Sequence, residues 1–82
     1  MKLDDQTKEL VAIGASITAN CQPCLQYHAE QARRFGADEQ EIAEAIEAGK
    51  QVRRGAGVKM YAFSAKLAST AGAAEIRDVC CG

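Results

Sequence analysis

Two cysteines and the chain's single histidine fall in one short run, Cys21-Gln22-Pro23-Cys24-Leu25-Gln26-Tyr27-His28. In a helix, residues three and four apart share a face. Cys21 and Cys24 are three apart and Cys24 and His28 four apart, so all three side chains line one stripe. Two sulfurs one turn apart reach disulfide distance. An imidazole one turn beyond Cys24 is placed to accept or return its proton. Pro23 suits the first position of a helix, where its missing N–H costs nothing. The pair therefore stands where a helix opens, and there the free N–H groups and the positive end of the helix dipole stabilise a thiolate. Thiolate is the nucleophile in disulfide exchange and in attack on peroxides. The run predicts thiol–disulfide redox chemistry. The structural alternative, two small buried apolar residues and an unrelated histidine, requires that this spacing be a coincidence.

The rest of the composition narrows the setting. The chain opens polar and acidic, Met1-Lys2-Leu3-Asp4-Asp5, with no apolar run behind it, so the expectation is a cytoplasmic protein with no membrane segment. In that compartment four cysteines among 82 residues point to redox or metal chemistry rather than a structural framework. The net charge is −1 and no basic patch stands out, which argues against nucleic acid as a partner. Arg33–Arg34 and Arg53–Arg54 fall near predicted helix ends, where the helix dipole favours cations. No nucleotide or flavin motif is present, so no cofactor is expected beyond a redox-active disulfide. Electrons then come from an external dithiol protein or a small thiol.

The elements that must position these residues read as four helices in one domain over 1–82. Strand-like alternation is absent. The first helix runs from about Asp5 to Ala19, with Asp4 as N-cap and Leu10, Ile13, Gly14 and Ile17 on one face, Val11 at its edge. Gly14 predicts a close crossing by another helix, and Asn20 can end the helix in the left-handed conformation. The second starts near Pro23 and ends before Gly36. In the third, Asp38 followed by Glu41 forms a capping-box pattern. Ile42, Ala45, Ile46, Gly49 and Val52 then repeat at helical spacing, and Gly55 and Gly57 are expected to end it. The fourth covers about Val58 to Ser69, with Met60, Phe63 and Leu67 on a face that reads as core or subunit interface. Gly72 breaks the pattern. Residues 73–82 form a tail ending in Cys80-Cys81-Gly82. Hydrophobic residues make up 48% of the chain, but there is no Trp and only two Phe and two Tyr. Alanine-rich helices bury little area each, so a chain of this length is expected to gain stability as a homo-oligomer.

Glu9, the Cys21-x-x-Cys24-x-x-x-His28 string, the Glu9-Leu10-Val11-Ala12-Ile13-Gly14 run, the Gly36-Ala37-Asp38 turn and the Ile42-to-Arg54 helix together resemble the alkyl hydroperoxidase D-like group of the carboxymuconolactone decarboxylase superfamily. The resemblance extends from about Thr7 to Leu67. It implies an all-helical bundle assembled as trimers or hexamers, and reduction of peroxides or disulfides by the cysteine pair. It also implies that Cys24 attacks peroxide, that Cys21 is its partner and proton donor, and that Glu9 and His28 form a proton relay. From the residues alone Glu9 is an ordinary solvated helical glutamate. Two departures stand. Peroxidase-type members can carry a second histidine between the cysteines, where this chain has Pro23. Cys-Gln-Pro-Cys is also similar to the thioredoxin-type Cys-Gly-Pro-Cys, whose first cysteine is the nucleophile, so either sulfur is a candidate attacker. Members that decarboxylate a lactone generally lack the cysteine pair, which argues against that activity here.

Two further readings come from the cysteines. Cys80 and Cys81 are adjacent, and a disulfide between neighbours closes a strained ring that is easily reduced. A terminal Cys-Cys-Gly is similar to the C-terminal shuttles of some flavin disulfide reductases, so Cys80 and Cys81 are candidates to exchange with Cys21–Cys24. Alternatively Cys21, Cys24, His28 and a tail cysteine supply four ligands for zinc. The spacing between the two halves is long for a zinc finger. A third reading is an assembly subunit whose cysteines have no role.

Overall fold

The computed structural model describes residues 2–71. They form three helices and, among the described residues, no strand: α1, Asp5–Thr18; α2, Gln22–Arg34; and α3, Glu39–Ala71. The all-helical expectation holds, but the third and fourth helices are one. Gly55 and Gly57 lie inside α3 and do not end it. A glycine inside a helix costs only about 1 kcal/mol relative to alanine, against about 3 for proline. The chain between Glu39 and Ala71 contains no proline. Gly72 and the tail with Cys80 and Cys81 lie outside the described residues.

Each helix boundary has a local cause. Asp4 caps α1 by accepting the Thr7 N–H at 2.8 Å. Hydrogen bonds from Thr7, its side chain first and its backbone N–H second, hold the Asp4 carboxyl below the usual range. The end of α2 is a Schellman turn. Gly36 takes φ +97°, its N–H bonds the Arg33 carbonyl at 3.0 Å, and the Ala37 N–H bonds the Ala32 carbonyl at 2.9 Å. The expected capping box opens α3: Asp38 Oδ1 accepts the Glu41 N–H at 2.8 Å, and Glu41 Oε1 accepts the Asp38 N–H at 2.9 Å. Ala37 before the cap and Ile42 four residues into the helix are both buried in the core, the arrangement of a hydrophobic staple. Across the same turn Arg33 forks onto Glu39, Nε at 2.7 Å and Nη2 at 3.1 Å. The pairing raises the Arg33 pKa and lowers that of Glu39. Arg33 and Arg34 do occupy the last turn of α2, as the dipole reading expects.

The core is small. Ile13, Ala32, Ala37 and Ile42 are buried, with Leu10, Leu25, Ala29, Ala45 and Ile46 packed partly against them. Its tightest point is where α1 crosses α3. A Cβ on Gly49 would stand 2.6 Å from the Gly14 carbonyl oxygen and 2.8 Å from Cβ of Ile17. The crossing predicted from Gly14 is therefore real, and its partner is Gly49. Beyond the crossing α3 continues away from the other two helices. Its 33 residues span about 50 Å. The radius of gyration is 17.2 Å, against about 12 Å for a compact chain of this length. Met60, Phe63 and Leu67, expected in a core or an interface, are all more than half exposed in the protomer, as are Val58 and Tyr61.

Two alanine substitutions in α3 should act in opposite directions. Gly49→Ala drives a methyl into backbone and should lower stability by about 1–3 kcal/mol. Gly55 has open space around it, so Gly55→Ala should raise stability by roughly 0.5–1 kcal/mol through helix propensity. Urea unfolding followed by circular dichroism at one fixed protein concentration compares them. A neutral Gly49→Ala would show that the helices do not cross this closely.

Candidate functional site

The cysteine pair is placed by the way α1 ends. Asn20 takes φ +61°, its N–H bonds the Ile17 carbonyl at 3.0 Å, and the Cys21 N–H bonds the Ser16 carbonyl at 3.0 Å. This is a second Schellman turn, with asparagine in the left-handed position foreseen from the sequence. Its last residue, Cys21, is at once the N-cap of α2, with extended backbone. The Cys21 Sγ accepts the Cys24 N–H at 3.3 Å, the bond a serine or aspartate oxygen makes at other helix starts. Pro23 stands second in α2, one position later than expected, and still among the N–H groups a helix leaves without partners. Because Pro23 has no N–H, the Cys24 N–H is the one left for the cap.

Cys21 and Cys24 are joined as a disulfide, with Cα atoms 5.3 Å apart. Cys21 is half-buried and Cys24 exposed. One turn further along α2, the His28 ring meets Glu9 from α1, Nδ1 to Oε1 at 2.6 Å, and both side chains are partly buried. An ionised carboxylate only accepts, so Nδ1 carries the proton. In the neutral ring Nε2 is then the free acceptor. Tyr27 stands edge-on to His28, ring centroids 5.0 Å apart. Among the described residues no hydrogen bond joins the His28 ring to either sulfur. The structure thus brings together Cys21 with Cys24 at the start of α2, and His28 one turn further along α2 with Glu9 of α1. Glu9 is invisible to spacing along a single helix. It and His28 stand at comparable distances on either side of Asn20, and a reversal at that residue is the signal that would pair them.

Arg53 is a residue that sequence reasoning misplaced. It sits in the middle of α3, not at a helix end, and its Nη1 donates to the Thr18 carbonyl at 2.6 Å. It does serve a helix C-terminus, but that of α1. Among the described residues no three His, Cys, Asp or Glu side chains gather as a metal site. The tail cysteine that the zinc alternative requires lies outside the described residues. A surface groove runs between α1 and α3 past Leu10, Val11, Ala45, Ala48 and Val52, and no cysteine lines it.

Comparison with known proteins gives the same frame. The model of the family described as "Carboxymuconolactone decarboxylase family" matches residues 1–75. A protein from Paracoccus denitrificans, "Uncharacterized protein 4 in cox locus", is 39% identical over 54 residues, which cover 66% of this chain and 49% of that protein. The chain thus spans about half the length of that relative. No solved structure matches.

Asn20 governs the placement of Cys21, and two substitutions separate backbone from side chain. Asn20→Gly, at home in the left-handed region, should leave stability within about 0.5 kcal/mol. Asn20→Val should cost about 1–3 kcal/mol and slow reduction of the Cys21–Cys24 bond by dithiothreitol or alter its equilibrium. Thermal unfolding and a thiol redox titration of both variants check this. Equal behaviour would remove the turn from the account of the site.

Proposed function

Because the chain belongs to the carboxymuconolactone decarboxylase family over residues 1–75, we propose that it is a thiol-dependent member, an oxidoreductase that reduces peroxides or disulfides through Cys21 and Cys24. The observation that supports this reading is the cysteine pair on the first turn of α2, with the Glu9–His28 pair one turn behind it. In the peroxide reaction the Cys24 thiolate attacks one peroxide oxygen. The O–O bond breaks, the departing alkoxide takes a proton, and Cys24 becomes a sulfenic acid. Cys21 then attacks that sulfur, forming the disulfide and releasing water. An external dithiol protein or small thiol returns the two electrons. His28 moves the proton through Nε2, and Glu9 holds the ring in that tautomer. Cys24 is given the attacking role because it is the more exposed residue of the two. No resident cofactor enters the reading, and the reducing environment it assumes is the cytoplasm.

The test is a pH titration of alkylation on the reduced protein, with mass spectrometry assigning each cysteine. Cys24 should react with a midpoint well below the value of about 8.5 for a free thiol. In peroxide turnover with dithiothreitol as donor, Cys24→Ser should abolish activity. His28→Gln should lower it roughly 100-fold, and Glu9→Gln should lower it in the same direction. Ordinary reactivity of both cysteines, together with protection by added zinc, would replace this reading with the metal site.

The same reading takes the working form as a homo-oligomer. Met60 and Phe63 on the outer half of α3 are the apolar side chains a second copy would cover. Light scattering should give a mass that is a multiple of the protomer, and Met60→Glu with Phe63→Glu should reduce it. A monomeric wild-type protein at micromolar concentration would end that part of the proposal.

A further inference from the structure

Beside Cys21 the surface holds a shallow cavity of ≈ 200 Å³, lined among others by Ile17, Asn20, Cys21, Leu25 and Arg53. Room for roughly six or seven water-sized groups suits a small organic molecule. Its lining combines two apolar residues, Ile17 and Leu25, with Asn20, Arg53 and Cys21 of the redox pair. The guanidinium is fixed in place, since Arg53 Nη1 donates to the Thr18 carbonyl at 2.6 Å. A guanidinium has five N–H donors, and that bond uses one. Among the described residues no carboxylate pairs with Arg53, whereas Arg33 is forked onto Glu39. Exchange between sulfurs does not itself need a fixed cation beside the disulfide. A held cation with spare donors beside the sulfur has a use if the incoming thiol carries an anion.

The geometry points to Arg53 as a specificity-determining residue. The donor that re-reduces the pair is a small thiol bearing a carboxylate, with the carboxylate on Arg53 and the sulfur against Cys21. The inference rests on the redox function proposed above and names the class of its donor. The donor thiolate attacks the Cys21 Sγ, the bond to Cys24 breaks, and Cys24 leaves as a thiolate on the first turn of α2. A second donor thiolate then attacks the donor sulfur of the mixed disulfide and releases Cys21, which takes a proton from water. Two electrons pass to the cysteine pair and two donor thiols become one disulfide. The Cys24 thiolate is left in the form that attacks peroxide.

Two thiols of nearly equal size separate this role from a merely structural one: 3-mercaptopropionate, and its uncharged amide 3-mercaptopropionamide. The rate of Cys21–Cys24 reduction by each, corrected for its thiolate fraction, gives a ratio for every protein. Loss of the α1 cap in Arg53→Gln would slow both thiols together and leave the ratio alone. The expected result is a ratio that falls about 3- to 10-fold in Arg53→Gln and stays nearer wild type in Arg53→Lys. If Arg53→Gln does not fold, raising the salt from about 0.02 to 0.5 M on the wild-type protein serves instead, and the ratio should fall as the charge is screened. A ratio that is the same in wild type and Arg53→Gln, or indifferent to salt, overturns the role of Arg53 and leaves the redox function standing. Failure of both thiols to reduce the pair overturns the two together.

Discussion

The structure hangs on the absence of one side chain. Gly49 lets α3 approach α1 until an added methyl would strike the Gly14 backbone, whereas a methyl on Gly14 would stand 3.4 Å from the Ala45 carbonyl oxygen, an ordinary contact. That contact sets what lies one turn further along each helix. Thr18 follows Gly14 by four residues and Arg53 follows Gly49 by four. Their hydrogen bond closes the end of α1 beside the cysteines. Helix α2 packs on α1 across the Asn20 turn and brings His28 back to Glu9. With so few buried side chains, the protomer relies on close backbone approach and on closed helix ends more than on apolar area.

Those helix ends share a design. Both interhelix turns are Schellman motifs, one through Asn20 and one through Gly36, and each passes directly into the cap of the next helix. At Gly36 the cap is Asp38 with its box partner Glu41. At Asn20 the cap is a cysteine. The exchange of an oxygen for a sulfur converts a structural position into a chemical one. It places a sulfur within reach of a helix N–H and of a second sulfur three residues on.

What was legible in the sequence follows the range of the interactions. Caps and turns depend on residues within one turn of each other, so Asp4, Asn20, Gly36 and the Asp38–Glu41 box could be read directly. The closeness of Cys21 and Cys24 was legible for the same reason, whereas the single helical stripe with His28 is not reproduced: Cys21 is the N-cap ahead of α2, and the His28 ring bonds Glu9 rather than either sulfur. Gly14 announced a crossing without naming Gly49, since nothing in α1 specifies which helix meets it. Glu9 became a candidate only through family resemblance, because its partner lies across a turn. Arg53 was read as belonging to the end of its own helix and instead serves another. The division of α3 at Gly55 and Gly57 treated a modest propensity cost as a stop, and flanking residues suited to a helix outweigh it.

The place of the pair on α2 has a thermodynamic reach beyond capping. In the disulfide the Cys21 sulfur that accepts the Cys24 N–H is a neutral, weak acceptor. In the reduced pair of the proposed reaction the charge sits on Cys24, on the first turn of α2, where unpartnered N–H groups and the helix dipole favour an anion. The start of α2 would therefore be held more firmly when the pair carries its electrons than when it has given them up. By linkage that difference would enter the redox equilibrium itself. Stabilising the reduced form makes a disulfide a stronger oxidant, so under the proposed function the fold would draw electrons toward Cys21 and Cys24 using backbone groups that every helix start possesses.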